Sequence, residues 1–380
     1  MKIIILGGGA SGLMLASILK QNNVNADVEI IEKYEHVGKK LLLTGNGRCN
    51  LTNINIERKH YNNDFGFNVA NSFNSKYYFE SLGLLTQVDD EGRVYPLSMV
   101  SNSVLDVLRE NIKDVKITTS TNIIRIRKNE NQYELTSDKN EKFVADILVV
   151  ATGGKTYYKD SNSYVLASIL SHKIKPLRPS LNSLKVKENL VSIENIRCKC
   201  GAKLIANNNV IYEDFGEVLF KKDALSGIVI FQLSSMISRN NFDRFVIELD
   251  LLPQHNEEDI EKILNAHPTM TGMFPKMINQ YILKQSISNN SKDIAYTIKH
   301  LRFNVLENID FKTAQVTTGG VDTMELTDYL ESKINSNLYF AGEIIDVDGL
   351  CGGYNLQFAF ASANKIAIDI LKKVGSKNEE

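Results

Sequence analysis

The feature that most constrains the fold is a glycine-rich turn between an apolar strand and an apolar helix at the start of the chain. Residues 2–6, KIIIL, have the β-branched character of a short buried strand, and residues 13–20 place apolar side chains at helical spacing. VEIIEK, residues 28–33, predicts a second strand. A strand, a helix and a strand within about thirty residues form a βαβ unit, from which doubly wound parallel sheets are built. The sequence therefore predicts an α/β fold.

The turn has the spacing of a dinucleotide-binding loop. Residues 7–12, GGGASG, match the pattern G-x-G-x-x-G, and Glu32 ends the second predicted strand. In this pattern Gly7 permits the tight turn, Gly9 lets a pyrophosphate approach the backbone, and Gly12 lets the helix pack closely on the strand. The unpaired N–H groups of the helix N-terminus favour phosphate, and Glu32 is expected to accept hydrogen bonds from an adenosine ribose.

Composition excludes several other classes of protein. The chain has 380 residues, 43% of them hydrophobic and 23% charged, and a net charge of −1, so it has no global attraction to nucleic acid or acidic membranes. Its apolar N-terminal run reaches glycine after four residues, too early for a signal peptide or a membrane span. The four cysteines (Cys49, Cys198, Cys200 and Cys351) are too few for a disulfide scaffold and lack zinc-site spacing. We expect a cytoplasmic enzyme without a bound metal.

The pattern of residues along the chain changes near residue 184 and changes back near residue 313. Strand-like runs such as EVLFKK and RFVIELDLL precede a section with helical spacing, and glycine-rich apolar segments then return. We therefore predict one discontinuous cofactor-binding domain, 1–184 and 313–380. The predicted insert, a substrate domain at 185–312, has a β part at about 185–253 and 302–312 and a helical part at about 254–301.

The C-terminal segment favours FAD over NAD as the bound dinucleotide. LYFAGEIID, residues 338–346, predicts a strand and a turn at Gly342, and GGYNLQFAF, residues 352–360, predicts a helix that begins near Gly353. In flavoproteins such a turn contacts the ribityl chain, and the positive end of the following helix stabilises negative charge on reduced flavin. The chain has no second G-x-G-x-x-G, so NAD(P)H is expected to visit transiently as reductant.

These motifs together resemble the BaiN/RdsA-type NAD(P)/FAD-dependent oxidoreductases, the YhiN-like flavoproteins. The resemblance extends from residue 1 to about 370 and rests on VGKKLLLTGNGRCNLTN, GRVYP, ATGGKTY, TTGGVD and GEIIDVDGLCGGYNLQFAFAS. It implies a discontinuous Rossmann-like FAD-binding domain of glutathione-reductase type with an inserted β-barrel-like and helical domain. It also implies reduction of an activated C=C bond, since family members are connected with dihydrouridine formation in large-subunit ribosomal RNA and with steroid-like enone reduction in bile-acid metabolism.

The resemblance also implies which residues contact the cofactor, each by its position in a shared motif. It assigns to the pyrophosphate Gly7, Gly9, Ala10, Ser11 and Gly12; to the adenosine ribose Glu32 and Lys33; to the pyrophosphate and flavin Lys40, Arg48, Cys49 and Asn50; to adenine the backbone of Ile123; to the nucleotide border Thr152 and Gly153; and to the ribityl and pyrimidine ends Glu343, Asp346, Asn355 and Leu356, beside Gly342 and Gly353.

Reduction of a C=C bond needs a hydride from the flavin and a proton from a side chain or water. Cys49 and Cys351 are the candidate proton donors, because both lie in glycine-rich segments expected at the flavin; the alternative is that each is a small buried hydrophobe. Arg48 is a candidate for stabilising negative charge on a substrate carbonyl or on flavin, or else a phosphate or structural partner. Tyr95, in GRVYP, is a further candidate donor.

A basic run bears on the substrate. Its members are Lys173, Lys175, Arg178, Lys185, Lys187, Arg197, Lys199 and Lys203. If they share one face they would contact RNA phosphates; the alternative is a solvated surface. We favour a uridine in large-subunit ribosomal RNA as substrate. The alternatives are a small-molecule enone or steroid-like reductase or dehydrogenase, and a flavin-bearing RNA-binding or assembly protein without turnover.

Overall fold

The computed structural model describes residues 1–156, 163–242, 244–306 and 310–376 and divides the chain into two compact units. The first unit comprises Met1–Arg178 together with Val316–Glu380, and the second is Pro179–Gln315. The chain thus leaves the first unit and returns to it. The unit boundaries lie between residues 178 and 179 and between residues 315 and 316. The sequence predicted these boundaries between residues 184 and 185 and between residues 312 and 313. Tyr157, the last residue of the ATGGKTY motif, lies outside the described residues.

The strands of the described residues are short, except for two in the second unit. In chain order they are β1 (Lys2–Leu6), β2 (Asp27–Ile31), β3 (Thr52–Asn53), β4 (Thr86–Val88), β5 (Arg93–Pro96), β6 (Lys116–Thr118), β7 (Ile123–Asn129), β8 (Gln132–Ser137), β9 (Lys142–Ala145), β10 (Ile147–Val150), β11 (Ile174–Ser180), β12 (Leu184–Lys185), β13 (Arg197–Ala206), β14 (Asn209–Lys221), β15 (Ala224–Ser226), β16 (Val246–Asp250), β17 (Leu301–Asn304), β18 (Val316–Val321) and β19 (Leu338–Phe340).

The α-helices include one of 21 residues near the C-terminus. In chain order they are α1 (Ala10–Gln21), α2 (Asp64–Asn71), α3 (Ser75–Ser81), α4 (Ser101–Asn111), α5 (Ser163–Ile169), α6 (Ile228–Arg239), α7 (Glu257–Ala266), α8 (Lys276–Gln285), α9 (Ser291–Lys299) and α10 (Tyr354–Val374). Among the described residues, no helix combines the length and the apolar character that crossing a membrane requires.

The first unit is organised around a five-stranded sheet in the order β19-β10-β1-β2-β6, with every neighbouring pair parallel. Ile3, Ile4 and Ile5 of β1 are fully buried, as expected for a parallel strand covered on both faces. Helix α1 packs against α10, so elements from the two ends of the chain are in direct contact. The predicted α/β class with a parallel Rossmann-like sheet is confirmed. Smaller sheets, β3-β5-β4, β7-β8-β9 and β11-β18, complete the unit.

The second unit contains a six-stranded antiparallel sheet in the order β12-β15-β14-β13-β16-β17. Along β13 the side chains alternate, and Cys200, Ala202, Leu204 and Ala206 are buried in the core of this unit. Helices α7 to α9 follow β16 and contribute to the same core. A curled sheet with appended helices is therefore present, as predicted. One helix, α6, lies inside the segment predicted as the β part.

Candidate functional site

The glycine loop after β1 combines two crowded positions with one open position. A Cβ on Gly7, whose φ is +113°, would lie 2.4 Å from the carbonyl oxygen of Ala151. A Cβ on Gly12 would lie 2.0 Å from the carbonyl oxygen of Gly7, whereas one on Gly9 would have no heavy atom within 4 Å. Gly9 also precedes the first turn of α1 without a side-chain cap. The loop therefore packs tightly at its ends and faces open space at the helix N-terminus.

The carboxylate of Glu32 is held beside this loop at the end of β2. It accepts hydrogen bonds from the backbone N–H of Gly8 at 2.7 Å and of Tyr34 at 2.9 Å. Burial raises the pKa of Glu32, and these backbone hydrogen bonds oppose part of that rise. Lys33 lies over the ring of Tyr34, with its Nζ 5.8 Å from the centroid.

The segment after β6 borders Glu32 on its other side. The N–H of Thr121 donates to the carbonyl of Glu32 at 3.0 Å, and the N–H of Glu32 donates to the carbonyl of Thr118 at 2.8 Å. Ile123 begins β7 two residues later and is buried. The structure thus brings the predicted adenine-contacting residue next to the strand end that carries Glu32.

Glycine-rich motifs from opposite ends of the chain lie side by side. The Ser11 hydroxyl, in the first turn of α1, donates to the carbonyl of Ala341 at 3.4 Å, and a Cβ on Gly342 would lie 2.7 Å from the Ser11 Oγ. The Gly342 N–H donates to the Ser362 Oγ at 2.9 Å. The turn after β19 is therefore fixed between the start of α1 and the middle of α10.

Glu343 joins three separate segments of the first unit. Its carboxylate accepts hydrogen bonds from the N–H of Gly154 at 3.3 Å and of Thr317 at 2.9 Å, and the Lys40 Nζ lies 2.5 Å away. The same ammonium group donates to the Thr156 Oγ1 at 2.6 Å. Lys40, which the resemblance assigned to the pyrophosphate, is thus paired with Glu343, which it assigned to the ribityl chain.

The turn after β10 presents an unsatisfied polar atom. The Thr152 Oγ1 is buried and has no hydrogen-bond partner among the described residues. Gly153 has a φ of +72°, and a Cβ there would meet no heavy atom within 4 Å. A buried hydroxyl without a partner costs free energy unless a ligand satisfies it.

Asp346 is a partly buried carboxylate three residues after Glu343. Burial, with a contribution from nearby Asp348, raises the pKa of Asp346 to about 6, although Lys175 acts in the opposite direction. The amide of Asn63 donates to the Asp346 carbonyl at 2.7 Å, and that of Asn62 donates to its Oδ1 at 3.4 Å. Asp346 therefore has a raised pKa and lies beside the turn that contains Glu343.

The segment TGNGRCN is an unusually curled loop. Gly45, Asn46, Gly47 and Cys49 all have positive φ, at 56°, 55°, 81° and 56°. The N–H of Cys49 donates to the carbonyl of Thr44 at 3.0 Å and closes the curl. Left-handed conformations are costly for a residue such as cysteine, so the surrounding structure must impose this shape.

The residues after this loop are fastened to the start of α10. With its amide oriented to satisfy both groups, Asn50 accepts from the N–H of Gly353 at 3.0 Å and donates to the Thr52 carbonyl at 3.0 Å. The Thr52 hydroxyl donates to the Oε1 of Gln357 at 2.7 Å, and the Asn53 amide donates to the Gly352 carbonyl at 3.2 Å. We call these contacts the 50–53/352–357 clamp.

The clamp includes residues that the sequence reasoning missed. Gln357 is fully buried within an otherwise apolar stretch of α10, and Thr52 and Asn53 are also buried. A lone glutamine in an apolar helical run was the available signal, because a buried amide needs partners. The amide of Asn50, which the resemblance assigned to the pyrophosphate and flavin, has two partners within the protein.

The start of α10 carries free backbone donors. Gly353, with a φ of +99°, precedes the helix without a side-chain cap, and a Cβ there would lie 2.5 Å from the Thr52 carbonyl oxygen. The N–H groups of residues 354–356 make no hydrogen bond to any residue that the structure describes. The side chain of Asn355 is turned to the preceding loop, where it bonds both the N–H and the carbonyl of Gly349. Leu356 is partly buried beside it.

The candidate catalytic residues differ in accessibility. Cys49 is fully buried and burial raises the pKa of its thiol to about 12, whereas Cys351 is partly exposed and its pKa is raised to about 11. Arg48 is exposed, donates to the Gly45 carbonyl at 3.2 Å, and lies 5.3 Å from the ring centroid of Tyr95. Tyr95 is buried on β5, between the two glycine-rich segments, and burial raises its pKa.

Acidic side chains neutralise part of the basic run. In the first unit Asp322 lies 3.8 Å from the Lys173 Nζ and 3.0 Å from the Lys175 Nζ. In the second unit two further pairs form, Lys185 with Asp223 at 3.7 Å and Arg197 with Glu217. These acids lie outside the run in the sequence, so the run is less positive than its own composition suggests.

The chain resembles proteins of several named kinds. Residues 1–368 match the family described as HI0933-like protein Rossmann domain. The 3-dehydro-bile acid delta(4,6)-reductase of Clostridium scindens is 33% identical over 95% of this chain and 97% of the relative. The ribosomal RNA dihydrouridine synthase of Haemophilus influenzae is 26% identical over 97% of this chain and 98% of the relative. Among solved structures, a flavocytochrome c3 fumarate reductase aligns with 13% identity and a TM-score of 0.45, covering 97% of this chain and 78% of that one.

Proposed function

The chain belongs to the family of the HI0933-like protein Rossmann domain, and from this premise we propose that it is an FAD-dependent oxidoreductase that reduces a C=C bond conjugated to a carbonyl group. NAD(P)H is the proposed reductant. The observation that supports this most strongly is that the Gly342 turn contacts both the helix that follows the glycine loop and α10, whose start has no side-chain cap. These are the parts that a flavin dinucleotide needs for its phosphates, its ribityl chain and its pyrimidine ring.

The residues present fit FAD. The space next to Gly9 leaves room for the pyrophosphate at the N-terminus of α1, and Glu32 retains lone pairs for ribose hydroxyls after accepting two backbone hydrogen bonds. The partnerless hydroxyl of Thr152 and the open side of Gly153 suit the border of the nucleotide. In this proposal the N–H groups that start α10 face the pyrimidine carbonyl.

The protein's own part in the reaction is to hold the substrate and supply a proton. Bound FAD, once reduced, supplies the hydride. Thiols with a pKa of about 11 or 12 keep their protons at neutral pH, so both cysteines are protonated when substrate arrives. Of the two, Cys351 is the partly exposed one and is therefore our preferred donor, with Cys49 as packing. Arg48, exposed above Tyr95, is available to stabilise a substrate carbonyl.

The names of two relatives describe the same bond chemistry. A 3-dehydro-bile acid with delta(4,6) unsaturation and a uridine each contain a ring C=C conjugated to a carbonyl, and the named reactions saturate it. We propose a small-molecule enone as the substrate of this chain, because the relative named for one is 33% identical and the basic run is partly neutralised. A uridine in ribosomal RNA stays the second candidate, supported by the relatives named for that reaction.

The test is a pair of half-reactions under anaerobic conditions. Protein reconstituted with FAD should be yellow, and NADH or NADPH should bleach the flavin absorbance. A 3-oxo-4,6-diene steroid should then restore the absorbance, whereas ribosomal RNA from a strain lacking dihydrouridine should restore it only if the second candidate is right. Protein that takes up no FAD after reconstitution would refute the proposal. Dihydrouridine content of ribosomal RNA with and without the gene provides the independent measurement for the RNA candidate.

A further inference from the structure

We propose that Gln357 is a positioning residue that fixes the start of α10 and thereby raises the reduction potential of FAD bound in this unit. The inference rests on the proposed function, since it concerns how the chain favours the reduced over the oxidised cofactor. Gln357 itself is buried, and it acts through the backbone N–H groups that precede it on the helix.

The hydrogen bonds of Gln357 reach three different segments. Its amide nitrogen donates to the carbonyls of Ala70 and Phe73, each at 2.7 Å, and its Oε1 accepts from the Thr52 hydroxyl at 2.7 Å. Ala70 belongs to α2 and Phe73 to the turn before α3, whereas Thr52 follows the TGNGRCN loop. Both donors and one acceptor site of this amide are thus occupied inside the protein.

The other clamp contacts fix the same end of the helix. Asn50 accepts from the N–H of Gly353, and Asn53 donates to the carbonyl of Gly352. Gly353 is also so close to Thr52 that a Cβ would lie 2.5 Å from its carbonyl oxygen. The clamp leaves the next three N–H groups of α10 without partners among the described residues. It therefore holds a bundle of oriented donors in one place without consuming them.

Such a fixed helix end favours negative charge. Two-electron reduction of flavin with uptake of one proton leaves the pyrimidine ring anionic, and a helix N-terminus stabilises an anion only within about one turn. A small displacement of the start of α10 would therefore weaken the stabilisation of reduced FAD while leaving most of the binding contacts in place. Pre-organised donors of this kind are effective because they need not reorient when charge develops.

The experiment compares reduction potentials in full-length protein reconstituted with FAD. In Gln357→Leu the amide is lost at similar side-chain volume, and we expect the reduced form to be disfavoured about tenfold, which corresponds to a potential about 30 mV lower for a two-electron couple. Thr52→Val removes only the hydroxyl that bonds Gln357, so its shift should have the same sign and be smaller. The potential is measured anaerobically against a reference dye.

The matched control is Ile370→Ala, which creates a cavity at a fully buried position in the distal half of α10. It should lower the thermal stability and leave the potential unchanged. A purely structural role for Gln357 predicts lower stability in all three variants with one common potential, and that result would overturn the inference. If Gln357→Leu does not fold, the sign of the shift in Thr52→Val decides. Failure of the wild-type protein to bind FAD would refute the proposed function, an outcome distinct from an unchanged potential.

Discussion

Replacing Gly9 by alanine separates folding from cofactor binding at the glycine loop. Gly9 has a φ of −84° and a ψ of −167°, which alanine adopts without strain, and its Cβ would have no heavy atom within 4 Å. Loss of glycine at the position before a helix costs up to about 1 kcal/mol, and restriction of the unfolded chain returns about 0.4–1 kcal/mol. The free energy of unfolding of the FAD-free protein should therefore change by less than about 1 kcal/mol.

The same methyl group should strongly weaken FAD binding. In the proposed FAD complex it would occupy the space through which the pyrophosphate reaches the N–H groups of α1, and each hydrogen bond to a charged group contributes about 1.5–3 kcal/mol. Losing one such bond raises the dissociation constant about tenfold to a hundredfold. The geometry at Gly9 thus predicts a large change in affinity with little change in stability.

One titration and one unfolding experiment measure these effects. FAD is added to the FAD-free protein while quenching of flavin fluorescence is followed, and thermal unfolding of the FAD-free protein is recorded separately. Gly12→Ala is the control, because its Cβ would lie 2.0 Å from the Gly7 carbonyl oxygen and should destabilise the protein even without FAD. Wild-type affinity for FAD in Gly9→Ala would refute the assignment of the pyrophosphate to this loop.

The remaining predictions concern Lys40, Asp346 and the two cysteines Cys49 and Cys351. Lys40→Met breaks the 2.5 Å ion pair with Glu343, in which both side chains are less than a quarter exposed. It should lower the free energy of unfolding by about 1–3 kcal/mol in denaturant titrations. Lys40→Arg should be closer to wild type. Because the folded-state pKa of Asp346 is raised from 3.8 to about 6, the contribution of this carboxyl group to stability is present at low pH and is lost as pH rises through about 6. Asp346→Asn should therefore stabilise the FAD-free protein at about pH 8 but not at about pH 4. Thermal unfolding at the two pH values measures this difference. Cys351→Ala should slow turnover about a hundredfold without affecting the bleaching of flavin absorbance by NAD(P)H. Cys49→Ala should lower the free energy of unfolding by about 1 kcal/mol and change the turnover little. Normal turnover in the double variant would exclude both cysteines as proton donors.

The parts of the fold that local chemistry determines could be predicted from the sequence. The positive φ of Gly7 and the contact of Gly12 with its carbonyl are requirements of one tight turn, so the glycine spacing alone indicates them. The apolar runs of β1 and β10 likewise indicate buried parallel strands. The turn at Gly342 and the helix after Gly353 follow from the same kind of local pattern.

The partners of polar groups could not be predicted, because they come from remote parts of the chain. Lys40 and Glu343 are 303 positions apart, and Thr52 and Gln357 are 305 apart. Charge counting along the basic run failed to include Asp322, which follows β18 and pairs with Lys175 of β11. A sequence window contains the charges of a segment, whereas the electrostatic environment depends on which other segments fold against it.

The return of the chain to its first unit has a consequence for the order in which a ribosome builds it. The second unit is a continuous segment, 179–315, and can close its core as soon as that segment has emerged. The parallel sheet must wait for β19 to add its edge strand beside β10, and the clamp must wait for residues 352–357. We therefore expect nascent chains to hold an open, cofactor-free N-terminal half until residues 338–357 have been translated, so that FAD capture follows synthesis of the second unit.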